Sequence, residues 1–129
     1  MEFLKLLLNS GHRGSYSYED ASSIGMCVLA NFFSSDVYED SNGYKEWALD
    51  ERFDSANSNA TCLEKVPDGI YLFDGTEGIS EQSRANGIKV SLPQFLQLMD
   101  DWNEKVWKRK PKEVIIKHEN DRFIIETHN

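Results

Sequence analysis

The most constraining stretch of this chain is its last third, where a helical stripe runs into a hairpin pattern. Leu92, Phe95, Leu96, Met99, Trp102 and Val106 recur at three- and four-residue steps, which places them on one face of a helix. Ser91 precedes the stripe as a cap and Pro93 falls in its first turn. Asp100, Asp101 and Glu104 come before Lys105, Lys108, Arg109 and Lys110, so positive charge gathers at the end the helix dipole favours, and Pro111 marks the stop. Val114, Ile115 and Ile116 and then Phe123, Ile124 and Ile125 form two strand-like runs, separated by polar residues that include Asn120 and Asp121. A one-sided helix and a hairpin must bury their apolar faces against other elements. The expected fold is α+β. It is a single domain over residues 1–129, a mostly antiparallel sheet with packed helices and a C-terminal helix followed by a β-hairpin.

Upstream the pattern is less regular. Residues 3–8 are an apolar run ended by Asn9, Ser10, Gly11 and Gly14, a strand closed by a turn. Over residues 24–33, Ile24, Cys27, Val28 and Phe32 match a helical face, while 26–29 also fit a buried strand; helix is the expectation. Asn42-Gly43 reads as a turn, residues 44–53 as helix or irregular chain, 70–73 as a strand opened by Pro67-Asp68-Gly69, and 78–87 as a loop.

The chain is 40% hydrophobic and 12% aromatic, too rich in large apolar groups for a disordered segment and sufficient for a core without metal or disulfide. Its net charge of −8 repels nucleic-acid phosphates and anionic lipid, and no apolar run approaches the ~20 residues that span a bilayer. Direct nucleic-acid binding and membrane association are therefore not expected. Glu2 and Lys5 interrupt the N-terminal apolar stretch, which does not read as a signal peptide, so the expected location is cytoplasmic. In that compartment Cys27 and Cys62 read as small buried hydrophobes.

Motifs that carry chemistry are missing from the local sequence. His12, His118 and His128 show no metal spacing, no nucleophile elbow occurs, and Gly75-Thr76-Glu77-Gly78 puts an acid where a phosphate would approach. Asp40, Asn42 and Gly43 match three places of a calcium loop, but Tyr38 and Leu49 stand where its first and last carboxylates belong. The sequence thus assigns no catalytic residue, no metal ligand and no cofactor. A small acid/base hydrolase or transferase whose carboxylates converge only in the fold is the alternative, as is an adaptor subunit of a larger assembly.

The charge is unevenly spread. Residues 19–81 hold 14 acids against the 3 bases Lys45, Arg52 and Lys65, a net of −11 that leaves +3 elsewhere. Such polarity fits either an ordinary acidic surface or a face that steers a cationic partner. Aromatics interleave with the acids here, and binding hot spots favour Tyr and Trp anchors ringed by polar groups. The expected contact residues are Tyr38, Glu39, Asp40, Tyr44, Glu46, Trp47, Asp50, Glu51 and Asp54, with Trp47 as an anchor or as core.

The segment from Leu92 through Trp102, Lys110-Pro111 and the runs 114–116 and 123–126 resembles small bacterial immunity proteins of contact-dependent inhibition and related polymorphic-toxin systems. The resemblance covers roughly the last 40 residues and rests on layout, so no family site residue transfers by position. It implies a cytosolic, non-enzymatic protein that binds the C-terminal toxin domain of its own system. Many such toxins are nucleases, whose grooves are cationic because they receive phosphates, and an acidic face fits that partner.

Overall fold

The computed structural model describes residues 1–9, 15–37, 41–58 and 60–129. Two four-stranded sheets face each other across a layer of helices. The first runs β2 (Tyr16–Ala21), β1 (Glu2–Leu8), β7 (Glu113–Glu119) and β8 (Arg122–His128); the second runs β3 (Ser55–Asn57), β4 (Thr61–Val66), β5 (Gly69–Asp74) and β6 (Ile88–Ser91). Every pairing is antiparallel, as expected, but the strands divide into two sheets instead of one.

Helix α1 (Ile24–Asn31) touches β1 and β2 in the first sheet and β5 and β6 in the second. It suits that place because Met26, Val28, Leu29 and Ala30 are buried over a broad arc of the helix, while the side with Ile24, Cys27 and Asn31 is left partly open. Ser23 caps it, its hydroxyl accepting the Met26 N–H at 3.2 Å. Helix α4 (Leu92–Asp101) is one-sided, burying Phe95, Leu98 and Met99 while it touches β8 on one side and β5 and β6 on the other. Ser91 accepts the Gln94 N–H at its start, with Pro93 in the first turn as the sequence indicates.

Both helices end in a widened turn. After α1, residues Phe32–Asp36 form a π-helical turn in which the Val37 N–H reaches the Phe32 carbonyl at 2.9 Å; after α4, Trp102–Trp107 does the same through Lys108 and Asn103 at 3.1 Å. The two turns meet where Phe33 stacks on Trp102, with centroids 4.6 Å apart. The apolar stripe of the sequence thus continues to Val106, but in π rather than α geometry. Lys110, at φ 51, then turns the chain into Pro111.

Three local expectations change. Asn42 and Gly43 are not a free turn but open α2 (Asn42–Leu49), because Ser41 is fixed beside them: its hydroxyl donates to the Met99 carbonyl at 2.6 Å and its N–H to Asn103 Oδ1 at 2.9 Å. The 78–87 segment contains a short helix, α3 (Glu81–Ala85), begun by a reciprocal Ser80–Ser83 capping box. Cys62 is buried, whereas Cys27 is only half-buried. The C-terminal hairpin follows the pattern, with Asn120 and Asp121 both at positive φ (53° and 60°) as a two-residue hairpin turn requires.

Tyr16 ties the end of α4 to the first sheet. It is 2% exposed and donates to the Pro111 carbonyl at 2.6 Å, and burial pushes its phenol up to about 12. A raised phenol stabilises the fold fully below the ordinary value of 10 and loses that contribution as pH climbs toward about 12. Tyr16→Phe is expected to cost ~1–2 kcal/mol at pH 8 through the lost bond. The gap to the native chain should narrow by pH 11. Urea midpoints at the two pH values check this; an unchanged gap would mean that the phenol does not sense its burial.

Candidate interaction surface

The acidic segment is mounted rigidly on the helical layer. Lys45 pairs with Asp100 of α4, Asn103 donates to Asn42 at 3.1 Å, and the two Ser41 bonds lie at the same junction. From there α2 runs along the segment, Asp50 ends it, and a turn through Glu51 and Arg52 leads by Phe53 and Asp54 into β3.

The two aromatics expected as anchors face inward. Tyr44 is half-buried, packs edge-on against Phe32 with centroids 5.0 Å apart, and shares a 2.6 Å hydrogen bond with Ser58. Burial lifts its phenol above the ordinary value, against the effect of that bond. Trp47 is also half-buried: its indole N–H donates to the Ser55 carbonyl at 3.2 Å, and the Lys65 ammonium lies 5.0 Å from its ring centroid. That contact with Ser55 covers part of the open edge of β3. Both residues hold the segment to the body.

Leu49 and Phe53 take the outward place instead, at 59% and 55% exposure. Phe53 is an apolar residue in an acidic stretch, a visible sequence signal; Leu49, the last residue of α2, carries none beyond its position in the helix. Leu49 and Phe53 are thus the large apolar side chains that residues 42–58 leave open to solvent.

The acids divide in the same way. Asp50 is held by the Arg52 guanidinium, at 3.0 Å from Nε and 2.7 Å from the terminal nitrogen, and by the Arg52 N–H at 3.0 Å. This holds the Asp50 carboxyl below the usual carboxylate range and raises the Arg52 guanidinium further. Glu46, Glu51 and Asp54 are exposed, and their carboxylates have no hydrogen bond or ion pair among the described residues. Tyr38, Glu39 and Asp40 lie outside the described residues.

The bases complete the pattern. Lys45 is paired with Asp100, Arg52 with Asp50, and Lys65 donates to the Asp50 carbonyl while lying over Trp47. Lys45 and Arg52 are thus each matched by a carboxylate, which leaves the unpaired carboxylates of Glu46, Glu51 and Asp54 and the nearby Lys65 ammonium to set the field of residues 42–58.

No family model, curated protein or solved structure matches the chain.

Among the described residues no group of three or more His, Cys, Asp and Glu is placed to hold a metal ion. Asn42 and Gly43, part of the partial calcium pattern, lie in the first turn of α2 rather than in a loop. His118 is engaged within the fold, stacked on Phe123 at 4.1 Å and 3.0 Å from Glu2 Oε1. His12 lies outside the described residues. No helix of the described chain is long and apolar enough to cross a membrane.

Proposed function

We propose that this protein is a cytoplasmic immunity protein, which binds the toxin domain of its own system and blocks it without catalysing a reaction itself. The observation that carries the reading is the combination on residues 42–58. Three unpaired carboxylates stand beside exposed Leu49 and Phe53, and the two bases of the segment, Lys45 and Arg52, are each already paired with a carboxylate. Such a surface attracts a cationic protein at a distance and offers it apolar groups on contact. A nuclease domain has that complementary form, because its substrate groove carries Lys and Arg for phosphates.

The mechanism is occlusion or exosite binding, with Glu46, Glu51 and Asp54 against toxin cations and Phe53 as the central anchor. About 800 Å² on this side suffices for a stable complex. Its rigid attachment through Ser41, Asn103 and the Lys45–Asp100 pair spares the cost of ordering a loop on binding. The test is to purify the tagged chain from its host and identify what accompanies it. A basic polypeptide that elutes as salt is raised is the expected result. A lone monomer that turns over a metabolite would overturn the proposal.

A further inference from the structure

A cleft of about 390 Å³ runs between α1 and the chain from Asp74 to Asn86, and none of residues 42–58 lines it. One wall is α1, with exposed Ile24, half-buried Cys27 and Asn31 and the edge of buried Val28; the other offers Asp74, Glu77 and Asn86.

The second wall is clamped to the sheet behind it. The Tyr71 hydroxyl donates to the Arg84 carbonyl and accepts the Gly87 N–H at 3.0 Å, and Arg84 pairs with Glu64 at 2.6 Å while its guanidinium lies 5.2 Å from the Phe73 centroid. The approach is close enough to demand glycine: a Cβ on Gly87 would stand 2.4 Å from the Leu72 carbonyl oxygen, backbone that cannot give way. The Arg84–Gly87 end of that wall is therefore fixed to the sheet, and Asp74 is held at the other end by the Thr76 N–H and hydroxyl, 2.9 and 2.7 Å from its Oδ1.

Its chemistry has a definite sign. Two carboxylates line it and no base does. Ile24 is 63% exposed, and Ile79, between the lining residues Gly78 and Ser80, is 55% exposed, so two large apolar groups stand open beside the acids. The cleft is open to solvent and mixes polar with apolar lining in equal parts, unlike the enclosed and mostly apolar pockets that hold small molecules.

We infer that this cleft is a second interaction surface, which receives an extended segment of a partner protein carrying Lys or Arg between apolar side chains. The basic side chains meet Asp74 and Glu77, the apolar ones cover Ile24 and Ile79, and Asn31 and Asn86 are within the lining to bond peptide groups. This inference stands independently of the surface on residues 42–58.

The test is NMR titration with a nonapeptide of alternating Leu and Lys, and with its Leu–Glu counterpart as control. Perturbed resonances should map to Ile24, Val28, Ile79 and Asn86. Affinity should fall about tenfold in Ile24→Gln and in Glu77→Lys. The first keeps its fold because the Ile24 side chain is exposed. Glu119→Lys, at an exposed site on β7, changes net charge equally and should leave affinity within about twofold. An equal loss in Glu119→Lys, equal binding of the Leu–Glu peptide, or perturbations confined to residues 42–58 would overturn the assignment. So would cleft resonances that shift with protein concentration alone, since a second copy would then be the occupant.

Discussion

Trp102→Ala should lower stability by ~3–5 kcal/mol, the largest effect expected of any single substitution in this chain. A domain of this kind is stable by only ~5–15 kcal/mol, so the variant would be partly unfolded at 37 °C. The reason lies in where the indole sits. It is fully buried in the π turn that follows α4, stacks on Phe33 of the π turn that follows α1, and takes Tyr16 edge-on with centroids 5.8 Å apart. It therefore joins both central helices to β2 at one point, and no neighbour can collapse into the space it leaves without moving an element. Its Nε1 is buried with no partner among the described residues. Trp102→Phe removes that N–H together with part of the ring and should cost much less, ~1–2 kcal/mol. Urea denaturation of the two variants checks the argument. Equal midpoints for Ala and Phe would show that the stacked ring contributes little.

The second large effect concerns association. Reversing Glu46, Glu51 and Asp54 together to Lys should slow binding to the recovered partner by about 10- to 100-fold at low salt. The deficit should shrink as ionic strength rises, because exposed charges more than about 8 Å apart are screened at physiological salt. Phe53→Ala should act differently, speeding dissociation by about 30-fold, ~2 kcal/mol, at every salt concentration. Asp50 is a poor reporter despite its place in the acidic run. Its carboxylate is occupied by Arg52, and reversal there would free one cation while adding another. Surface plasmon resonance at several salt concentrations separates the two classes. Unchanged association in the triple variant would remove residues 42–58 from the interface, and unchanged unfolding midpoints would confirm that the fold was not at fault.

What the sequence made legible follows the periodicity of its apolar residues. The α4 stripe and the β7–β8 hairpin carry a long repeat with strong punctuation at Ser91, Pro111 and Asn120-Asp121, so they were readable without a structure. Strand β2 carries no such signal: only Tyr16 is buried, and the four residues after it face solvent at a sheet edge. Helix α3 is five residues long with none buried, so it has no apolar face to detect. The same logic governs the candidate surface. Composition located the acidic segment, but spacing could not tell that Tyr44 and Trp47 turn inward to Phe32 and Ser55 while Leu49 and Phe53 turn out. Nor could it tell which acids would be matched by a base, since the Lys45–Asp100 pair spans two distant helices.

The pairing of β1 with β7 has a consequence for how the molecule comes into being. Residues 2–7 find their partners at 113–118, so β1 waits until residues 113–118 have been made before that half of its sheet can close. The second sheet is the reverse case, a meander of neighbouring strands within residues 55–91 that needs no such delay. On a ribosome the meander can form first, with α1 laid on it by one side and Leu4 and Leu6 still uncovered. Chain lost from residue 113 onward would leave that apolar strand with an open edge, a template for aggregation rather than a smaller working protein.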